Sequence, residues 1–408
     1  MIWSISWRNV WRNKLRSTVV IIAIALGLFA GVFTSAFMRG MSEQRIDAAI
    51  KTEISHIQIH KPGFTDNFDF SLYFRHADSI LSKINKMDRV RAASRRMVVS
   101  SMASSAETGA GVKIMAVVPE QESRVTDIHK NIVEGAYFRE YKRNDPVVIG
   151  HKLAEKLNVG LDNKIVLTIT DGDGNTIQAA FKIAGIYKTD NTSYDERNVF
   201  VRFDDITELT GFPEDGAHEI AVYLTENEIA EEIAGALSAE FPELKVMHWK
   251  DTSPELAYLT SMMDQYMYIF VIIILLALCF GIINTMLMAV LERVKELGML
   301  MAVGMNRIRV FLMIMLESVF LSFSGGIIGI LIGYIVSKIY QHRDIPLPLE
   351  YAEGLREIGY SPVVNTVVDL NMILVIALLV ILTGLVSSLF PAYKALRLNP
   401  ADALRTDN

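Results

Sequence analysis

The chain has 408 residues and a net charge of −6, and 51% of its residues are hydrophobic. This hydrophobic content exceeds that of most soluble proteins. It is concentrated in four runs, each long enough to cross a hydrocarbon core of about 30 Å as a helix. These lengths exclude an ordinary soluble protein. The predicted spans cover residues 17–38, 266–291, 310–336 and 372–393.

The residues before the first run predict a helix that lies at the membrane surface. Trp3, Trp7 and Trp11 recur every four residues, so they share one helical face within residues 1–16. Tryptophan and basic residues together are typical of the membrane interface. The apolar run that follows is too long for a cleaved signal peptide and is interpreted as an anchor.

The positions of the basic residues predict how the chain is oriented across the membrane. Lys and Arg are concentrated before the first span, in the loop 292–309 and in the tail 394–408, and such segments stay in the cytoplasm. Segment 39–265 and loop 337–371 are therefore predicted to be extracytoplasmic. The large segment holds 26 Lys and Arg residues and 36 Asp and Glu residues, a net charge of −10. This charge argues against nucleic acid as a partner.

Strand and helix patterns alternate near both ends of segment 39–265. The predicted strands are 53–60, 92–100, 219–224 and 244–248, and the predicted helices are 77–86 and 226–241. Two separated βαβ units predict one split, ferredoxin-like α+β subdomain. Residues of about 105–215, with a helix near 151–157, predict an inserted β-rich distal subdomain. The expected fold is an α-helical membrane protein with four transmembrane helices and an α+β extracytoplasmic domain.

Two patterns in this domain are compatible with metal binding, but neither is sufficient. Residues 171–175 (DGDGN) match the start of an EF-hand loop, but Thr176 and Lys182 stand where that loop needs glycine and glutamate. A tight turn explains them better. His56 and His60 share one strand face without a third ligand, so they are interpreted as surface or interface histidines. No metal site and no catalytic residue is predicted.

Four motifs along the chain resemble one family. Loop 292–304 reads ERVKELG followed by MAVG, and segment 7–16 reads WRNVWRNKLR. The third span contains Glu317 and Ser318 followed by a series of glycines, and segment 391–405 reads PAYKALRLNPADALR. In this order, the motifs resemble those of ABC transporter permeases of the FtsX/MacB/LolCE superfamily.

This resemblance implies that loop 292–304 is a coupling helix that docks on a nucleotide-binding subunit. The implied coupling residues are Glu292, Arg293, Lys295, Glu296, Leu297, Gly298, Ala302 and Gly304. The alternative is a positively charged loop that contacts only lipid headgroups. No G-x-x-x-x-G-K-[ST] motif is present, so a non-catalytic permease without its own cofactor is expected. A LolD/MacB-like ATPase partner would bind ATP and Mg²⁺, and a second permease copy or a homologous permease would complete the transporter.

Small and polar residues within the spans predict helix contacts. The small residues that stand four positions apart are Gly27 and Gly31 in the first span and Gly325, Gly329 and Gly333 in the third. This spacing allows close approach in lipid, either within one subunit or between two permeases. Glu317 lies deep in its span, where a carboxylate is costly. A role in gating or substrate contact and a structural hydrogen bond to Asn284 or Ser318 explain it equally well.

Two further segments resemble the LolC/LolE lipoprotein-releasing branch of the superfamily. They are 55–63 (SHIQIHKPG) and 246–256 (VMHWKDTSPEL). The implied function is extraction of lipoproteins from the bacterial inner membrane and delivery to a periplasmic carrier. Two alternatives stay open: a MacB-like exporter of small molecules or peptides, and an FtsX-like signalling scaffold.

A lipoprotein substrate needs an apolar path out of the bilayer, because each buried methylene contributes about 0.8 kcal/mol of membrane affinity. Phenylalanine and methionine side chains in the outer halves of the first two spans suit such a path. In a permease dimer, it would lie between the first span of one subunit and the second of the other. The candidate lining residues are Phe29, Val32, Phe33, Phe37, Met263, Met267, Phe270 and Val271. The alternative is that these side chains face bulk lipid or a packed neighbour.

The predicted topology can be tested with reporter fusions. A reporter placed after Ala110 or Gly211 is expected to be extracytoplasmic, and one placed after Gly304 or Asn408 cytoplasmic. Enzymatic activity of the fused reporter on each side of the membrane is the measurement. A cytoplasmic signal from the Ala110 fusion would contradict the four-span topology.

Overall fold

The computed structural model describes residues 2–138 and 145–396. They divide into two compact units. The membrane unit contains residues 2–43, 260–345 and 363–396, and the large domain contains Gln44–Leu259 and Pro346–Pro362. The part of the C-terminal motif at 397–405 lies outside the described residues.

Fifteen α-helices are defined in the described ranges. In chain order they are α1 (Ile2–Arg12), α2 (Lys14–Ala49), α3 (Phe64–Asn67), α4 (Ala77–Ile84), α5 (Pro119–Val125), α6 (His151–Leu157), α7 (Thr192–Arg197), α8 (Phe203–Thr210), α9 (Ala230–Glu240), α10 (Trp249–Thr252), α11 (Pro254–Glu292), α12 (Val294–Ala302), α13 (Arg307–Tyr340), α14 (Leu349–Glu357) and α15 (Leu370–Leu396). Helices α2, α11, α13 and α15 are long and apolar enough to cross a membrane. The prediction of four spanning helices is confirmed.

Twelve strands are defined in the same ranges. They are β1 (Ile57–His60), β2 (Val90–Ser104), β3 (Gly109–Val117), β4 (Ile132–Gly135), β5 (Pro146–Gly150), β6 (Lys164–Thr170), β7 (Thr176–Tyr187), β8 (Asn198–Arg202), β9 (Glu219–Leu224), β10 (Lys245–His248), β11 (Ile345–Pro346) and β12 (Val363–Val364). Strands β1 to β10 form one sheet in the large domain, and β11 pairs with β12.

One end of the large sheet has the ferredoxin-like strand order β10-β1-β9-β2, and all these neighbours are antiparallel. Helices α4 and α9 cover one face, where Leu81 and Leu237 pack against Ile57 and Val222. The predicted split α+β subdomain is therefore confirmed. The predicted first strand was too long, because residues 50–54 form a π-helical turn that continues α2.

The inserted residues extend this sheet and do not form a sheet of their own. Strand β2 is 15 residues long. Its first half pairs with β9, and its second half pairs with β3 and β6. The inserted strands have a separate apolar core that includes Leu153, Ile165 and Phe181. The predicted inserted subdomain thus shares a strand with the subdomain that contains it.

A buried ion-pair triad joins β2, α5 and β9. Arg96 donates to both carboxylate oxygens of Glu122, at 3.0 and 2.7 Å, and to Glu219 at 2.6 Å. Burial alone would lower the pKa of Arg96, but the two carboxylates outweigh it and raise that pKa. Removing one partner from such a pair typically costs about 3–5 kcal/mol, because a charge is left buried and unpaired.

Two buried histidines of the large domain, His56 and His218, accept hydrogen bonds from backbone amides. His56 and His60 are 5% and 1% exposed, so their interpretation as surface residues was wrong. His56 Nδ1 accepts from the Leu224 amide, and His218 Nδ1 accepts from the Val98 amide, both at 3.2 Å. The predicted turn at 171–175 joins β6 to β7, and the Asp171 side chain accepts the amides of Asp173 and Asn175.

The buried histidines predict acid destabilisation. Burial lowers the pKa of His218, and separately that of His56, from 6.5 to about 4. The unfolded chain therefore binds more protons between about pH 4 and 6.5, and stability falls as the pH decreases through this window. Across this window each histidine lowers the free energy of unfolding by up to about 3 kcal/mol, because one pKa unit corresponds to about 1.36 kcal/mol. Thermal unfolding of the full chain in nanodiscs as a function of pH measures this loss.

The variant His218→Gln is expected to flatten the pH dependence of the unfolding temperature. The matched control is His76→Gln, because the His76 side chain is 82% exposed. An unchanged pH dependence in the His218 variant would show that this histidine is not the titrating group.

Candidate coupling site

A non-helical residue separates α12, the predicted coupling helix, from the end of α11. Arg293 interrupts the helix between Glu292 and Val294, with φ −106° and ψ 15°. At the other end, Gly304 has φ +100°, a conformation that favours glycine. The Asn306 side chain then accepts the Ile308 amide at 3.1 Å and caps α13. The sequence therefore folds locally into a short helix held between two spans.

Ion pairs tie this region to the N-terminal helices. Arg12 at the end of α1 donates to both carboxylate oxygens of Glu296, at 2.7 and 2.6 Å. Arg16 near the start of α2 pairs with Glu292. Arg12 and Glu296 have side chains that are 52% and 47% exposed, so this pair contributes little to stability. Both hydrogen bonds come from the same guanidinium nitrogen of Arg12, and they join the end of α1 to α12.

Glu317 of α13 is 7% exposed and is paired with groups from two other elements. The Asn9 side-chain amide donates to its carboxylate at 2.7 Å, and the Arg293 guanidinium lies 3.5 Å away. The expected partners Asn284 and Ser318 were wrong. Asn284 is exposed on α11, and the Ser318 hydroxyl has no hydrogen-bond partner among the described residues. The carboxylate therefore links α1, the start of α12 and α13.

Helix α1 packs along α13. The Ser6 hydroxyl donates to the Met313 carbonyl oxygen at 3.1 Å. Trp3 and Trp7 meet the ring of Phe320 edge-on, with centroids 5.8 and 5.3 Å apart. The predicted surface helix thus buries one face on a spanning helix, which places Asn9 beside Glu317.

The segment 294–304 exposes apolar side chains beside charged ones. Leu297 and Gly298 are buried, and Leu297 joins the core of the membrane unit. Lys295, Ala302 and Gly304 are exposed with Glu296. Met299, Leu300 and Val303 are 53%, 36% and 89% exposed. Sequence reasoning missed these three residues. The helical period carried a signal only for Met299, which stands two positions after the buried Leu297 and so lies on the opposite side of the helix.

The glycines of α13 lie directly against α2 of the same chain. A Cβ atom at Gly325 would lie 2.8 Å from Ile24 Cβ, and one at Gly329 would lie 2.5 Å from the Ala25 carbonyl oxygen. At Gly333 the nearest atom would be Val32 Cβ, at 2.8 Å. The α2 glycines face α11 instead, where Gly27 and Gly31 meet Leu278 and Ile274. The structure therefore places all five glycines in contacts within one subunit.

The residues of the candidate lipid path are divided between two environments. Val32, Met267 and Val271 are buried within the membrane unit, at 2%, 5% and 4% exposure. Phe270 is 47% exposed. The remaining four are partly exposed: Phe29, Phe33, Phe37 and Met263.

Comparison with known families agrees with this architecture. Residues 17–240 match the family described as MacB-like periplasmic core domain, and residues 268–400 match the FtsX-like permease C-terminal family. The first match alone covers more than half of the chain. The chain therefore belongs to the FtsX/MacB/LolCE superfamily of ABC transporter permeases.

Three relatives illustrate the range of this superfamily. An uncharacterized ABC transporter permease of Methanocaldococcus jannaschii is 29% identical over 69% of this chain and 68% of that protein. The lipoprotein-releasing system transmembrane protein LolC of Neisseria meningitidis is 21% identical over 75% of this chain and 76% of that protein. The macrolide export ATP-binding/permease protein MacB of Neisseria gonorrhoeae is 30% identical over 31% of this chain and 17% of that protein.

The pairing of Arg12 with Glu296 predicts a charge-reversal phenotype. We expect Glu296→Arg to lower substrate-stimulated ATP hydrolysis of the assembled transporter by about tenfold, within the usual range of coupling free energies. The double variant Arg12→Glu, Glu296→Arg restores the opposite charges and should recover most of this activity. A steady-state ATPase assay with and without substrate is the measurement.

Replacing Glu296 and Gly298 together should also uncouple hydrolysis from transport while the large domain stays folded. Parent-level stimulation in that variant would contradict a coupling role for this helix. Failure of the charge-reversed double variant to recover activity would show that Glu296 does not act through Arg12.

Proposed function

We propose that the chain is the permease subunit of a transporter that extracts lipoproteins from the bacterial inner membrane for a periplasmic carrier. The observation that carries this proposal is the extent of the likeness to LolC. The alignment covers 322 residues and includes parts of both the large domain and the membrane unit. The alignment to MacB of Neisseria gonorrhoeae covers 129 residues, although the MacB-like periplasmic core domain family matches residues 17–240.

The membrane unit contains a small apolar crevice, and we propose that a lipid substrate enters the unit at this place. It lies between α2, α11 and α15 and is lined by Val32, Met267, Met372 and Ile376. Arg39 is at the same site, 3.8 Å from Asp369. The crevice has a volume of only about 20 Å³, so α2, α11 and α15 would have to move apart before an acyl chain could enter. Methionine is suited to this lining because its side chain adapts to varied shapes.

The energy would come from a separate subunit. We propose that Met299, Leu300 and Val303 form the docking surface for an ABC ATPase, which binds ATP and Mg²⁺. Exposed apolar side chains beside charged ones are typical of a protein interface. Glu296 of α12 pairs with Arg12 of α1. Glu317 of α13 is bonded to Asn9 of α1 and to Arg293 at the start of α12. These contacts would transmit a movement of α12 to α13.

A MacB-like exporter is the second candidate. The observation in its favour is the 30% identity to MacB over the matched segment, which exceeds the identity to LolC. The two candidates differ in whether an acyl chain enters the membrane unit. An acylated cargo must contact the spans, whereas an unacylated cargo need contact only the large domain.

Adjacent residues on α11 provide a matched test of the lipid path. Phe270 is 47% exposed and Val271 is 4% exposed. In a Cys279→Ser background, Phe270→Cys is expected to crosslink to a photoreactive acyl chain on a trapped lipoprotein, and Val271→Cys to crosslink several-fold less. Mass spectrometry of the crosslinked product is the measurement. The background change removes the sole native cysteine.

Substitution of Phe270 by aspartate should also slow lipoprotein release, because a charge on this surface opposes entry of hydrocarbon. Crosslinks confined to unacylated cargo on the large domain would contradict lipoprotein release and favour export.

A further inference from the structure

The ferredoxin-like end of the sheet has one face that α4 and α9 leave uncovered, and α5 packs on part of it. Helices α4 and α9 cover the face that contains Ile57, Ile59 and Val222. The opposite face borders a cavity of about 520 Å³. This size lies within the range of small-molecule sites, which are usually concave and hold a few polar groups among apolar ones. The cavity lies entirely within the large domain.

The cavity lining combines apolar side chains with hydrogen-bonding groups from several strands. Val98, Met115 and Met247 provide apolar surface. Tyr194 and Asn198 provide polar groups. A ligand with both an apolar part and a polar part matches this lining.

The acidic groups that border the cavity already have cationic or histidine partners. Glu219 accepts from Arg96 at 2.6 Å, and Glu53 pairs with Arg45 at 2.9 Å. Asp251 lies 3.1 Å from the His248 ring. The carboxylates of the cavity are therefore committed to groups of the domain itself.

The two lysines of the cavity lack such partners. Neither Lys113 nor Lys245 makes an ion pair or a side-chain hydrogen bond with the residues that the structure describes. The Lys113 ammonium lies 3.8 Å from the centroid of the Phe68 ring. Desolvation by burial lowers the pKa of Lys113, and the charge of Glu219 opposes this only partly. Lys113 is half-buried, and it borders the cavity without a carboxylate partner among the described residues.

We propose that this cavity binds a small organic anion, a carboxylate or phosphate carried on an apolar group, with Lys113 as the principal contact and Lys245 at the rim. The anion completes the charge balance at Lys113, and its apolar part packs against Val98, Met115 and Met247. Tyr194 and Asn198 offer further hydrogen bonds. This site is independent of lipoprotein release, because it lies in the large domain and shares no residue with the candidate lipid path or the coupling helix.

Fluorine NMR of the full chain in nanodiscs tests this site. The probe is para-trifluoromethylbenzoate, and its neutral analogue para-trifluoromethylbenzamide controls for apolar binding. We expect saturable binding of the benzoate, and Lys113→Met should weaken it roughly tenfold or more, the loss typical of a hydrogen bond to a charged group. Lys113→Arg should largely preserve binding. The control Lys164→Met alters an exposed lysine outside the cavity and should change nothing.

Equal binding of benzoate and benzamide, absence of saturable benzoate binding, or full binding by Lys113→Met would each overturn the proposal. A second measurement separates a ligand site from a structural role. Lys113→Met removes an uncompensated buried charge and keeps the side-chain length, so the unfolding temperature without ligand should rise. A lower unfolding temperature would show that the ammonium supports the fold through Phe68, which also overturns the proposal.

Discussion

The membrane unit depends on the close approach of α2 and α13. Lipid tails are as apolar as the side chains of a spanning helix, so moving those side chains from lipid into a helix contact gains no hydrophobic free energy. Spanning helices therefore associate mainly through packing and hydrogen bonds. Gly325, Gly329 and Gly333 leave no room for a Cβ atom against α2. A larger residue at any of these positions would push the two helices apart. Because α1 packs on α13 and the chain continues from α1 into α2, this contact also fixes the N-terminal helix.

The glycine contact explains why a carboxylate is tolerated at Glu317. With α1 held on α13, the Asn9 amide and the Arg293 guanidinium both reach the Glu317 side chain. A buried carboxylate is stable when it is paired and hydrogen-bonded. The same arrangement brings Arg12 to Glu296, so the coupling helix contacts α1 and α13 through polar groups. A displacement of α12 must therefore disturb either these ion pairs or the packing of α13.

The sequence predicted the periodic features well and the non-local ones poorly. Long apolar runs identified the four spans, and separated βαβ patterns identified the ferredoxin-like subdomain, because both signals are local. The π-helical turn at 50–54 was missed because EISHIQIH alternates in the manner of a strand throughout. The partners of Glu317 were also missed, since Asn9 is 308 positions away in the chain. No sequence spacing predicts a contact between such distant residues. They meet because α1 packs on α13.

Arg96 and Lys113 lie on neighbouring strands of the large sheet, and their charges are compensated in different ways. Arg96 is 1% exposed and has two carboxylates within 3.0 Å, so its burial is compensated and it holds β2, α5 and β9 together. Lys113 lies on the neighbouring strand β3, and its ammonium lies 3.8 Å from the centroid of the Phe68 ring. An arginine fork suits a permanent pairing with carboxylates, whereas a lysine is a flexible point charge that changes its ionisation readily on burial. The triad therefore satisfies its own charges, whereas the ammonium of Lys113 has no carboxylate partner among the described residues.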